Sequence, residues 1–113
     1  MHNAVTSHEG NLFIEGVALE TIATQYGTPS YVYSKAAISS NFLAYQTALA
    51  EKDHLICYAV KANSNIAVLQ TLAQLGAGFD IVSIGELERV LRAGGDPAKV
   101  VFSGVAKTAI EMQ

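Results

Sequence analysis

Apolar residues change their spacing several times along this chain, and each change marks an element. From Lys35 to about Glu51, Ile38, Phe42, Tyr45 and Leu49 recur three or four residues apart, which puts them on one face of an amphipathic helix with Ser34 placed to cap its start. Residues 55–60, Leu-Ile-Cys-Tyr-Ala-Val, are almost uninterruptedly apolar, the pattern of a strand covered on both faces as in parallel sheets. Helical spacing returns at Ile66, Leu69, Leu72, Ala73 and Leu75 and stops at Gly76, with Asn63-Ser64-Asn65 supplying capping side chains ahead of it. Phe79-Asp80-Ile81-Val82 predicts a second strand. Ser83-Ile84-Gly85-Glu86 has the form of a capping box, and Leu87, Val90 and Leu91 lie on the helix it opens, which Gly94-Gly95-Asp96-Pro97 ends. Lys99 to Ser103 predicts a third strand, and Thr108 is placed to cap a further helix.

Ahead of residue 35 the pattern is weaker. Asn11 to Glu15 predicts a short strand, Ala18 to Tyr26 a helix stopped by Gly27, and Ser30 to Tyr33, after the break at Thr28-Pro29, another strand of β-branched and aromatic residues. Strand, helix, strand, helix, strand with short loops implies right-handed crossovers and a parallel sheet. Two α/β architectures satisfy this, an open doubly wound sheet and a (β/α)8 barrel. A barrel takes roughly 250 residues, so the length of 113 favours the open sheet when the residues are read alone.

Composition adds a constraint. The chain is 50% hydrophobic and 15% charged, against about 25% charged in typical soluble domains, so much of its surface needs cover. No window approaches the roughly 18 uninterrupted apolar residues of a membrane span, and the expected cover is protein. A part of a larger domain, or an oligomer, fits. The formal charge of -3, with 7 scattered Lys and Arg, argues against a nucleic-acid partner. Met1 to Val5 has neither a basic nor an apolar leader region, and the cytoplasm is the expected compartment. Cys57, the sole cysteine, has no intramolecular disulfide partner and is expected as a small core residue. His2, His8 and His54 have no ligand-like spacing, and no metal site is expected.

Lys61 directly follows the first apolar strand, at the end where parallel α/β folds place their chemistry. By the two-residue period it shares a face with Cys57 and Ala59, small residues that leave room around an amine, while Tyr58 and Val60 face the other way. An amine kept from water there would lose protons more readily, as Schiff-base chemistry requires. A strand-end lysine reaching into solvent is the plainer reading of the residue by itself.

The words around it change the balance. Tyr58-Ala59-Val60-Lys61-Ala62-Asn63-Ser64-Asn65 resembles the cofactor-lysine motif of the diaminopimelate decarboxylases. Gly27-Thr28-Pro29 with Tyr31-Val32-Tyr33-Ser34 resembles the N-terminal segment of that family, and Gly76 to Ser83 with Gly85-Glu86-Leu87 its second barrel strand and loop. Val101 to Val105 with Lys107-Thr108 is similar to the third, so the likeness runs in order from about residue 10 to the end. Ile84 and Ala106 stand where glycine is expected.

The resemblance implies an alanine-racemase-like fold, a pyridoxal-phosphate-binding (β/α)8 TIM barrel beside a β-domain. Residues 1–30 would then belong partly to the β-domain, and residues 31–113 would open the barrel with its first strands and helices. It further implies that Lys61 carries pyridoxal 5'-phosphate, that Asp80 hydrogen-bonds towards Lys61, and that Asn63 and Glu86 neighbour the active site. Capping chemistry explains Asn63 and Glu86 equally well. The reaction implied is decarboxylation of meso-diaminopimelate to L-lysine by a homodimer, with the phosphate cradle, the partner of the pyridine nitrogen and the substrate-carboxylate binders lying beyond residue 113, so that the 113 residues alone would be inactive. The rivals are an ornithine, arginine or carboxynorspermidine decarboxylase, a non-catalytic homologue that binds the cofactor, and a plain α/β interaction domain.

Overall fold

Glu9-Gly10 and Glu15-Gly16 turn the chain twice within its first twenty residues, and each pair has positive φ at both positions (49° and 79°, then 49° and 80°). Two-residue hairpin loops favour that backbone because its twist matches the flanking strands. The computed structural model describes residues 4–113, so His2 lies outside the described residues. The loops join β1 (Val5–His8), β2 (Asn11–Ile14) and β3 (Val17–Ala18) into an antiparallel sheet, with His8 opposite Asn11 and Ile14 opposite Val17. Ile14 is its buried side chain. Helix α1 (Leu19–Tyr26) follows, and Gly27, at φ 83°, closes it by donating its N–H to the Ala23 carbonyl.

Ser30 to Tyr33 form no strand. Their aromatic and β-branched side chains suit a pleated surface, but β preference needs a neighbouring strand to act on; Tyr31 is 92% exposed. Helix α2 (Lys35–Ala48) starts where expected and ends short of Glu51. Its start is tied to the β2–β3 turn. Ser34 Oγ accepts the Ala37 N–H and donates to Glu15 Oε1, which also accepts the Ala36 N–H at 2.7 Å. A carboxylate facing the first turn of a helix meets its unpaired N–H groups and the positive end of its dipole.

The chain separates into two compact units, Met1–Asn41 and Phe42–Gln113, and the division falls inside α2. The second unit holds β4 (Cys57–Ala59), α3 (Ile66–Gln74), β5 (Gly78–Ile81), α4 (Ile84–Arg92) and β6 (Val100–Phe102). β4, β5 and β6 pair in parallel and in sequential order, as successive strands of a barrel do. The apolar run 55–60 is thus only partly strand, because Val60–Ala62 turns into a single 3-10 turn. Thr108 precedes a 3-10 turn, Ile110–Met112, instead of capping a longer helix among the described residues; Glu111 Oε2 accepts both its N–H and its hydroxyl, at 2.9 Å each.

Register divides the sheet into two faces. Tyr58, Phe79 and Val100 align on one, with Ile81 and Phe102 beside them; Cys57 aligns with Gly78, and Ala59, Asp80 and Val101 align on the other. The first face meets the core: Phe79 is 0% exposed, and Val60, Leu69, Leu72, Ile81 and Val90 are buried with it, while Tyr58, Val100 and Phe102 are half-buried. Each of the buried side chains contributes roughly 1.5–3 kcal/mol. The opposite face is half open, and Val101 is 49% exposed.

Gly78 marks the closest approach on that open face. A Cβ there would lie 2.6 Å from the Lys99 carbonyl oxygen and 2.8 Å from Cys57 Sγ. Gly78→Ala is therefore expected to destabilise the protein by about 1–3 kcal/mol, read as a lowered denaturant midpoint; an unchanged midpoint would show that the strands spread freely to admit a methyl group.

Candidate functional site

The C-terminal ends of three parallel strands bring together residues that lie far apart in the chain. Lys61 sits in the turn immediately after β4, with its exposed side chain next to Val60, which is wholly buried and anchors the turn. Tyr58 Oη donates to the Asn63 carbonyl at 3.2 Å, bracketing the turn from both sides of Lys61. Asn63 Oδ1 accepts the Asn65 N–H at 3.0 Å, and Asn65 Oδ1 in turn caps α3 through the Ala67 N–H at 2.9 Å. Arg89 from α4 adds a bond to the Ser64 carbonyl at 3.3 Å. The lysine is exposed along its side chain, and the turn at its base is held by these bonds.

Asp80 lies on the open face, level with Ala59 of β4 and Val101 of β6. Its Oδ1 accepts the Ser103 hydroxyl at 2.5 Å, so the bond this structure gives Asp80 is to Ser103 and not to Lys61. Among the described residues Lys61 makes no hydrogen bond, because it rises from a turn beyond the last paired residue of β4. Cys57 shares the face and is half-buried rather than a core residue. Its thiol is held above the ordinary value, first by burial and then by the charge of Asp80. That coupling agrees with the shared face.

Glu86 is occupied by the capping box. Its Oε2 accepts the Val82 N–H at 2.7 Å while its own N–H donates to Ser83 Oγ at 3.2 Å, which makes α4 begin sharply behind β5. Lys107 folds back, bonding the Gly104 carbonyl at 2.6 Å with its ammonium 5.2 Å from the Phe102 ring centre. His54 pairs with the Lys52 carbonyl in a loop. Among the described residues no group of three or more His, Cys, Asp and Glu gathers as metal ligands would. An open groove of about 930 Å³ between α3 and α4, lined by Ile66, Gly85, Glu88, Arg89, Leu91 and Arg92, includes neither Lys61 nor Asp80. The groove lies on the helical side of the sheet.

Two residues of this arrangement were missed from sequence, Ser103 and Tyr58. Ser103 ends the third strand motif, but only the β5–β6 register brings it to Asp80. Tyr58 reads as a buried strand residue until its hydroxyl is seen to bridge the turn.

Residues 35–113 match the family profile described as pyridoxal-dependent decarboxylase, pyridoxal binding domain. The chain is 66% identical over 105 residues to the diaminopimelate decarboxylase of Pseudomonas aeruginosa, covering 93% of this chain and 25% of that protein. Its structure is similar to a diaminopimelate decarboxylase from M. jannaschii in complex with L-lysine, with TM-score 0.93 and 36% identity over 97% of this chain and 27% of the other. A lysine/ornithine decarboxylase from Vibrio vulnificus complexed with cadaverine is more distant, with TM-score 0.76 and 26% identity over 83% of this chain and 25% of the other. The chain spans about a quarter of the length of the curated relatives it matches. These likenesses decide between the two α/β architectures: the fold is the opening part of an alanine-racemase-like barrel, and the open sheet favoured by length alone is set aside.

The chemistry of the side chains fits the cofactor of this group. A primary amine, the group that condenses with an aldehyde, stands at one strand tip, a carboxylate stands on the next strand, and the same face carries only the small residues Cys57, Ala59 and Gly78 below them.

The raised Cys57 thiol gives a test of this geometry. Because less thiolate is present at a given pH, Cys57 should alkylate more slowly at pH 8 than an unperturbed cysteine, and Asp80→Asn should speed it modestly, since the burial that dominates remains. Mass spectrometry of the Cys57 peptide reads both rates; an Asp80→Asn protein that alkylates no faster would place the carboxylate away from the thiol. In the capping box, Ser83→Ala should cost about 1 kcal/mol of stability.

Proposed function

We propose that this chain, which belongs to the pyridoxal-dependent decarboxylase family through its pyridoxal-binding domain, is the N-terminal part of a diaminopimelate decarboxylase. The carrying observation is Lys61 on its bracketed turn at the end of β4, one strand from Asp80. On this reading Lys61 would hold pyridoxal phosphate through its amine, and Asp80 would pair with that amine when it is protonated. When bound, the cofactor supplies an electron sink for the pair left behind as carbon dioxide departs from meso-diaminopimelate, giving L-lysine after reprotonation.

The residues of this chain contribute alignment and charge. A fixed turn spares the amine the entropy of being positioned at each cycle. A carboxylate beside an amine favours its charged form, which suits an amine that must take up a proton when it is released. Asn63 shapes the backbone that carries Lys61, and Glu86 acts on this site through the start of α4. Residues 1–30 are read as part of the accompanying β-domain, supported by the antiparallel sheet they carry. The protein is further read as cytoplasmic and, as the family resemblance implies, as a homodimer at full length. The 113 residues leave the inner face of the sheet half open, and by themselves they would not turn over substrate.

The second reading, an ornithine- or lysine-type decarboxylase, is favoured by the likeness to the Vibrio vulnificus structure and disfavoured by its lower identity. Supplying the full-length protein with meso-diaminopimelate, ornithine, arginine and lysine and measuring carbon dioxide release separates the two. Turnover of meso-diaminopimelate, lost by at least about a thousandfold in Lys61→Ala as expected when a covalent group is removed, supports the proposal; preference for another of these amino acids would overturn it.

A further inference from the structure

The Asp80 carboxylate is held by one side chain. Its partners in register, Ala59 and Val101, carry no polar group, and the Ser103 hydroxyl supplies the bond to Oδ1 at 2.5 Å. Among the described residues Oδ2 accepts no hydrogen bond. Ser103 is itself set firmly. Its N–H bonds the Ile81 carbonyl at 3.0 Å, continuing the ladder one residue past β6. The neighbouring Gly104 is buried, and a Cβ there would lie 2.7 Å from the Phe102 ring and 2.8 Å from the Val82 carbonyl oxygen, so the loop is pressed onto the end of β5.

A serine hydroxyl has one proton to donate. Spent on Oδ1, it stops the carboxylate from rotating and leaves Oδ2 as the oxygen presented along the open face. We infer that Ser103 is a positioning residue for Asp80: it fixes the carboxylate so that Oδ2 serves the amine of Lys61. The inference rests on the reading of Lys61 as the cofactor lysine. Ser103 touches neither substrate nor cofactor in this scheme and acts through Asp80 alone.

That last condition makes it testable by a double-mutant cycle in the full-length protein, read as the affinity of the cofactor-free form for pyridoxal phosphate in an absorbance titration. Ser103→Ala should weaken affinity about three- to tenfold, the span of a hydrogen bond to a charged group partly replaced by water. Ser103→Thr keeps the hydroxyl and should restore it. In an Asp80→Asn background Ser103→Ala should have no further effect, because the group it positions is altered already. Ser103 is exposed, so loss of its Oγ should leave the fold intact by circular dichroism; if the alanine form fails to fold, Ser103→Cys, of similar shape and a weak donor, should show the same direction. Unchanged affinity in Ser103→Ala, or the same loss with and without Asp80→Asn, would overturn the inference. An unmutated protein that takes up no pyridoxal phosphate would instead overturn the functional reading on which it rests.

Discussion

Side chains alternate between the two faces of the sheet along β4, β5 and β6, and pairing in register keeps like with like across all three. Each strand sends Tyr58, Phe79, Ile81, Val100 or Phe102 to one side and Cys57, Ala59, Gly78, Asp80 or Val101 to the other. A slip of one residue would exchange the two sets. It would place Asp80 among Leu69, Leu72 and Val90, where a carboxylate without partners is costly, and Phe79 in water. Burial of the apolar set therefore fixes the register, and the register delivers Asp80 beside Ser103. Stability on one face and chemistry on the other are set by the same pairing.

Glycine and turn chemistry complete the arrangement at the strand ends. Gly78 admits the Cys57 side chain and the Lys99 carbonyl within distances that no Cβ would tolerate, which keeps β5 close to both neighbours. Past the paired residues the chain leaves the sheet by a 3-10 turn after β4 and by a capping box after β5. Such short exits keep functional side chains near the sheet ends, and helices that begin there offer their capped starts behind them.

Much of this was legible in the chain. Period changes located α2, α3, α4 and the three parallel strands, and capping residues Ser34 and Ser83 marked real starts. The hairpins were not read, although Glu-Gly recurs at 9–10 and 15–16, because glutamate is a poor indicator of a loop with positive φ at both positions. Ser30 to Tyr33 misled in the opposite direction: strand-like composition without a strand to pair with remains irregular. Lys61 was visible as a strand-end amine and specific only through the wording around it. Asp80 was singled out, but its bond to Ser103 depends on cross-strand register, which local periodicity does not encode. Length alone pointed to the wrong architecture, since a domain's size says nothing of a chain that spans a quarter of its relatives.

On the proposed reading one amine in this chain, that of Lys61, carries the cofactor. Its most direct test is chemical: load the full-length protein with pyridoxal phosphate, reduce it with borohydride so that the linkage survives digestion, and map the peptides by mass spectrometry. The added pyridoxyl mass is expected on the peptide containing Lys61 and is expected to be lost in Lys61→Ala. Modification confined to other lysines, with the Lys61 peptide unmodified, would contradict it.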